Sequence, residues 1–200
     1  MSPAISRRTA ITGATGALVA VAVGATATPA HAAGDLVWSA NINGAVIWDI
    51  TTRIVTRLPT SARYGAPIAL GTIIVQARCS GERVKQIRQA KVTHVSGTGK
   101  CGITATDARG LSAPFAIEVA FPETPIPDTD VEFTITGTAV ITGPLPLPLP
   151  RNRGPMRIAV DPTATARMDG KRPHDKPLPG IIKMTLKSGQ DPTLTTIDIR

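Results

Sequence analysis

The chain has 200 residues and a formal net charge of +8, with 42% hydrophobic, 3% aromatic and 18% charged residues. That length suits one domain or two small ones, and the hydrophobic share is enough for a packed core. Pro and Gly, 18 of each, stay below the level that marks disorder or a collagen repeat, and a mean hydropathy of +0.09 argues against a polytopic membrane protein.

Residues 1–32 read as an export address. They hold no acidic residue, and Arg7 and Arg8 are their only charges. A weakly apolar stretch from Ile11 to Val23 follows, and Ala30-His31-Ala32 fits the small-x-small cleavage pattern, which makes Ala33 the mature N-terminus. Ser6-Arg7-Arg8-Thr9-Ala10-Ile11 looks like a twin-arginine signal, with Ala10 where an aromatic is usual, so the general secretory route stays open. The uncharged run is too rich in Gly and Thr to make a good spanning helix. With Arg7 and Arg8 removed, 20 Lys and Arg oppose 14 Asp and Glu. No aromatics are interleaved with these cations, so nucleic acid has little support as a partner. An anionic cell-wall polymer or an extracellular protein fits better.

The mature chain predicts strands. Leu36–Ile42 and 45–58 flank Asn43-Gly44, a strong hairpin signal. In the second strand Val46, Trp48, Ile50, Ile54 and Leu58 share one face, and Asp49, Thr51, Arg53 and Arg57 share the other. A two-residue turn here pairs Ala45 with Ile42 and Asp49 with Trp38. Trp38 and Trp48 then fall on opposite faces. With Trp48 in the core, Trp38 lies beside Ile47 on the outer face, the one candidate contact for a ligand. β-Branched enrichment marks further strands over 66–77, 91–95, 102–106, 113–121, 131–142, 156–160, 180–186 and 194–199. The one helix predicted is 81–90, with Val84 and Ile87 on one side and Ser80 placed to cap it. Strands separated by short turns point to an all-β fold, an immunoglobulin-like β-sandwich with at most one short helix.

A proline-rich acidic stretch at 122–130 is the only internal boundary, read as a long crossover within one domain spanning 33–200. Pro144-Leu-Pro-Leu-Pro-Leu-Pro150 has a period of two rather than three, which suits an edge strand better than a polyproline ligand.

Five segments carry a resemblance. They are Leu58-Pro-Thr-Ser-Ala-Arg-Tyr-Gly-Ala-Pro67, Val84-Lys-Gln-Ile-Arg-Gln-Ala-Lys-Val-Thr-His-Val-Ser-Gly97, Thr134-Ile-Thr-Gly-Thr138, Asp169-Gly170 and the closing Lys187-Ser-Gly-Gln-Asp-Pro-Thr-Leu-Thr-Thr-Ile-Asp-Ile199. With the proline-rich connector, they make the chain similar to an uncharacterised family of secreted actinobacterial immunoglobulin-like domains. The resemblance implies a sandwich and an extracellular setting, and it brings no activity.

Cys79 and Cys101 are the only cysteines, and in an exported protein they read as a disulfide. With His94 they match no compact zinc pattern, so no metal is assigned. Asp128, Asp130 and Glu132 alternate in a solvated connector that lacks the Gly and distal Glu of a calcium loop. No serine sits in a Gly-x-Ser-x-Gly elbow, and Gly97-Thr-Gly-Lys100 lacks the earlier Gly of a phosphate loop. No cofactor is implied. These features predict a secreted, non-catalytic binding or structural module acting at or outside the cell envelope. The alternatives are a secreted hydrolase using His94 and the 128–132 carboxylates, or a protease inhibitor presenting Arg151 to Gly154.

Overall fold

Among the described residues, alternating inward and outward side chains build eleven strands, joined by one helix. A computed structural model describes residues 31–32, 34–68, 71–140, 152–174 and 177–200. The export signal with Arg7 and Arg8, the new terminus at Ala33, and the Pro144–Pro150 run therefore lie outside the described residues. In chain order the strands are β1 (His31–Ala32), β2 (Leu36–Ile42), β3 (Val46–Thr56), β4 (Ser61–Ala62), β5 (Thr72–Cys79), then α1 (Gly81–Gln89), then β6 (His94–Thr106), β7 (Ser112–Pro125), β8 (Phe133–Val140), β9 (Gly154–Lys171), β10 (Leu178–Leu186) and β11 (Thr193–Ile199).

Eight of these strands close into a barrel in the order β2-β3-β5-β8-β7-β6-β9-β10, all neighbours antiparallel. Closure rests on β10, which pairs on both sides. Met184 lies opposite Ala40 of β2 and opposite Ala164 of β9. This corrects the expected immunoglobulin-like sandwich, which needs two separate sheets. Strand content and turn spacing are alike in the two architectures. What separates them is the long-range meeting of β10 with β2, which no local pattern encodes.

β9 is the longest strand. Its C-terminal half pairs with β10 and its N-terminal half with β11, and β6 runs along its other side. The β6 register jumps between Cys101 and Ile103, opposite Ala164 and Val160, so Asp161-Pro162-Thr163 forms the bend. β11 carries β4 in parallel, and β1 pairs with Thr56 and Val55 of β3. The stretch expected as a connector supplies the end of β7, through Pro125, and only then a short loop.

The hairpin register differs from expectation by one residue. The loop has three residues, and Val46 rather than Ala45 lies opposite Ile42. Asn43 (φ 53°) and Gly44 (φ 79°) are both left-handed, as a primed turn requires. Asn43 is also tied to β10. Its backbone N–H donates to the Ile181 carbonyl, and its Oδ1 accepts from the Ile181 N–H, each at 2.8 Å. That tertiary tie accompanies the three-residue loop, and a slip of one residue exchanges faces. Trp38 now faces Ile50 and Trp48 faces Ala40, so both indoles lie on the inner face. Trp38 is 3% exposed, while Ile47 on the outer face is 67% exposed.

The expected disulfide is not formed; Cys79 and Cys101 are free thiols. Cys79 lies on β5 opposite Phe133, and Cys101 on β6 opposite Ile117. β8 and β7 stand between those strands. Cys79 is also near the level of His94, several residues down β6, so the offset along the strands alone is roughly 20 Å. A bridge needs Cα atoms within about 7 Å.

α1 matches the sequence expectation. Ser80 is its N-cap, without a side-chain cap bond. Val84, Val92, Ile126 and Phe133 form a small cluster that packs α1 over one end of the barrel. The larger cluster lines the rest of the interior, including Leu36, Trp38, Ile54, Ile103, Val119, Ile158 and Ile197.

Phe121 on β7 lies between two inward-facing glycines. A Cβ on Gly137 would sit 2.6 Å from its ring, and one on Gly99 would sit 3.2 Å away. The ring occupies the space both glycines vacate, as aromatic rescue of sheet glycines does. Gly137→Ala is expected to destabilise by about 1–3 kcal/mol. Adding Phe121→Leu should return part of that loss, a coupling that a double-mutant cycle of urea melts reads directly.

Candidate functional site

The barrel does not fill its own centre. An apolar cavity of about 110 Å³ lies at mid-height, lined by residues from β2, β3, β5, β6, β7, β9, β10 and β11. Its wall is almost wholly carbon. Trp38, Ile54, Val119, Phe121, Ala164 and Met184 represent the set. The strand period places them there. Every second residue of a barrel strand points inward, and at this level Ala77, Gly99, Ala164 and Ala166 leave space among larger side chains such as Trp38 and Phe121.

Only two polar groups deserve description. Thr52 lines the cavity, and its Oγ1 accepts a hydrogen bond from the Trp38 indole N–H at 2.8 Å. Cys101 lines it too, its thiol donating to the Gly102 carbonyl at 3.3 Å. Burial, with Asp161 nearby, pushes the Cys101 thiol up to about 12. Burial together with Glu132 pushes Cys79 up to about 11. Neither is a ready nucleophile at neutral pH. Lys100 contributes to the wall, but its ammonium pairs with Glu118 at 3.3 Å and is well exposed, outside the lumen.

The sequence-derived candidates are dispersed. Trp38, expected outside, is inside and belongs to the cavity wall. His94 borders an open groove with Arg88, Lys91 and Asp128, its Nδ1 3.1 Å from Thr93 Oγ1. Asp130 is drawn away into an ion pair with Arg88 at 2.8 Å, and Glu132 lies near Cys79. Arg151 lies outside the described residues; near it, the Asn152 amide donates to Asp107. Among the described residues no group of three His, Cys, Asp or Glu is placed to hold a metal ion. Thr52 was missed by sequence reasoning. Its signal was there, since it shares the parity of Trp48, Ile50 and Ile54, a hydroxyl on an apolar face.

The outer wall is polar. Asp49, Arg53, Glu118, Arg167 and Lys183 stand on it, and cations there pair with acids: Lys187 with Asp49 at 2.7 Å, Lys171 with Glu123 at 2.9 Å, and Arg53 and Arg78 both with Asp35. That pattern is not the apolar band a lipid-facing barrel presents. Among the described residues, no helix is long and apolar enough to cross a membrane.

A family model described as a family of unknown function (DUF6801) matches residues 41–195. No curated protein and no solved structure matches the chain.

The thiol geometry has a direct test. Intact mass should show two free thiols per chain. At pH 8 a thiol reagent should react with the folded protein roughly 100-fold more slowly at Cys79, and roughly 1,000-fold more slowly at Cys101, than with the unfolded chain, following thiolate fraction. Because both folded values are raised, the unfolded chain ionises first. Stability should be full below about pH 9 and fall as pH rises toward 12, which alkaline urea titrations would show.

Proposed function

The chain belongs to this family of unknown function, and from its lumen we propose that it is an exported, non-catalytic binding protein that holds one small apolar molecule inside the barrel. The observation that carries the reading is the cavity of about 110 Å³ walled by carbon at the centre of a closed barrel. An empty void of that size costs about 2–3 kcal/mol at the usual rate per unit volume. A ligand that fills it recovers contacts the side chains do not make. Apolar voids of about 150 Å³ stay dry and accept benzene, so the fitting class is a compact ring or short chain of about five or six heavy atoms.

Export finds its support in Arg7, Arg8 and the Ala30-His31-Ala32 pattern. Cleavage before Ala33 would remove β1, a two-residue strand outside the eight-stranded ring, and leave the ring complete. The buried Trp38 serves an interior ligand rather than a wall polymer, because its indole is not exposed.

Titration calorimetry with benzene should give one site per chain with a dissociation constant between about 0.1 and 5 mM, within the range ligand efficiency allows. Ala164→Leu adds three carbons to the wall at mid-height. It should abolish binding and leave the melting temperature unchanged or a few degrees higher, because the added carbons fill the void. No binding by the wild type, or undiminished binding by Ala164→Leu, would overturn the proposal.

A further inference from the structure

Of the two threonines that line the lumen, Thr165 is exposed on the outer side, and Thr52 is buried with its hydroxyl only half used. Thr52 is 7% exposed, and its Oγ1 accepts from Trp38 Nε1. A hydroxyl carries one donor and two acceptor sites. Among the described residues Thr52 takes part in that single side-chain bond, as acceptor, which leaves its proton without a partner in the wall. The indole N–H holds the oxygen in place from one side, so the hydroxyl is oriented before any ligand arrives. Lys100 and Thr165 also line the wall but are exposed on its outer side, and the thiol of Cys101 is engaged with Gly102.

We infer that the lumen takes a small neutral molecule bearing one hydrogen-bond acceptor, a ketone or ether on a compact hydrocarbon frame, with its oxygen on the Thr52 hydroxyl. This rests on the lumen reading above and narrows it. A hydrocarbon would leave the Thr52 proton unmet in an apolar space, which costs free energy. An acid or amine is excluded by a different term. The lumen holds no counter-charge, since the Lys100 ammonium is outside with Glu118, and an unpaired ion in such a wall is strongly unfavourable. Thr52 is thus a specificity-determining residue, and the Trp38 indole is its hydrogen-bond partner in the wall.

The test compares cyclopentanone with cyclopentane, probes of nearly equal shape, on three proteins: the wild type, Trp38→Phe and the double variant Trp38→Phe/Thr52→Val. The double variant is needed because Thr52→Val alone frees the indole N–H to donate in its place. Trp38→Phe widens the lumen and should weaken both probes, but it keeps the Thr52 hydroxyl, so the ratio of the two dissociation constants should stay within about threefold of wild type. The double variant should shift that ratio against the ketone by about tenfold, the worth of one hydrogen bond. In the wild type, the carbonyl stretch of bound cyclopentanone should move to lower frequency than in a hydrocarbon solvent, a readout that needs no variant to fold. If both probes bind but the ratio stays fixed and the stretch does not move, the acceptor inference falls while the lumen reading stands. If neither probe binds the wild type, both fall.

Discussion

Everything in this molecule depends on β10 being hydrogen-bonded along both edges. On one side it meets β2 from Ile182 to Leu186, and on the other it meets β9 from Leu178 to Thr185. Without that strand the sheet would open between β2 and β9, and Trp38 would lose its cover. β9 makes room for it by bending at Asp161-Pro162-Thr163, where a proline tolerates the missing ladder bond. Past the end of β10, Gln190 takes over. Its side-chain amide donates to the Val37 carbonyl at 2.8 Å and its Oε1 accepts from the Val37 N–H, so one side chain stands in for a strand at the seam. Lys187 N–H donates to the same Val37 carbonyl at 3.0 Å.

Closure also sets what the interior can be. An eight-stranded ring leaves a space just wide enough for side chains or one small ligand. Here the balance is tipped by small residues at mid-height: Gly99 and Gly137 under Phe121, and Ala164 and Ala166 on β9. The ends are filled with larger side chains, and α1 lies over one of them. The cavity is therefore a consequence of sequence at one level of the barrel, not of the fold as such, and Thr52 sits at that level.

Local structure was legible in the sequence because it depends on local chemistry. The helix over Gly81–Gln89 and the strand over Leu36–Ile42 follow from alternation, caps and turns within a dozen residues. β9 was legible only to Val160, because Asp161 and Pro162 look like an ending when they are in fact a bend that other strands support. The hairpin register failed for a related reason. Asn43-Gly44 specified a turn correctly, but its tie to Ile181 came from a strand 138 positions away. One residue of slip then moved Trp38 from the outer face to the lumen wall. The residue singled out for binding remains a wall residue of the proposed site, although the reason given for choosing it does not hold.

The two cysteines show the same division between local and global information. Export and an even count argue for a bridge, yet the topology sets them on strands separated by two others. Burial instead raises both thiols. A thiol pushed up to about 11 or about 12 is almost wholly protonated at neutral pH, and the protonated form is the unreactive one. Burial in the barrel wall, with Glu132 near Cys79 and Asp161 near Cys101, holds both thiols in that form.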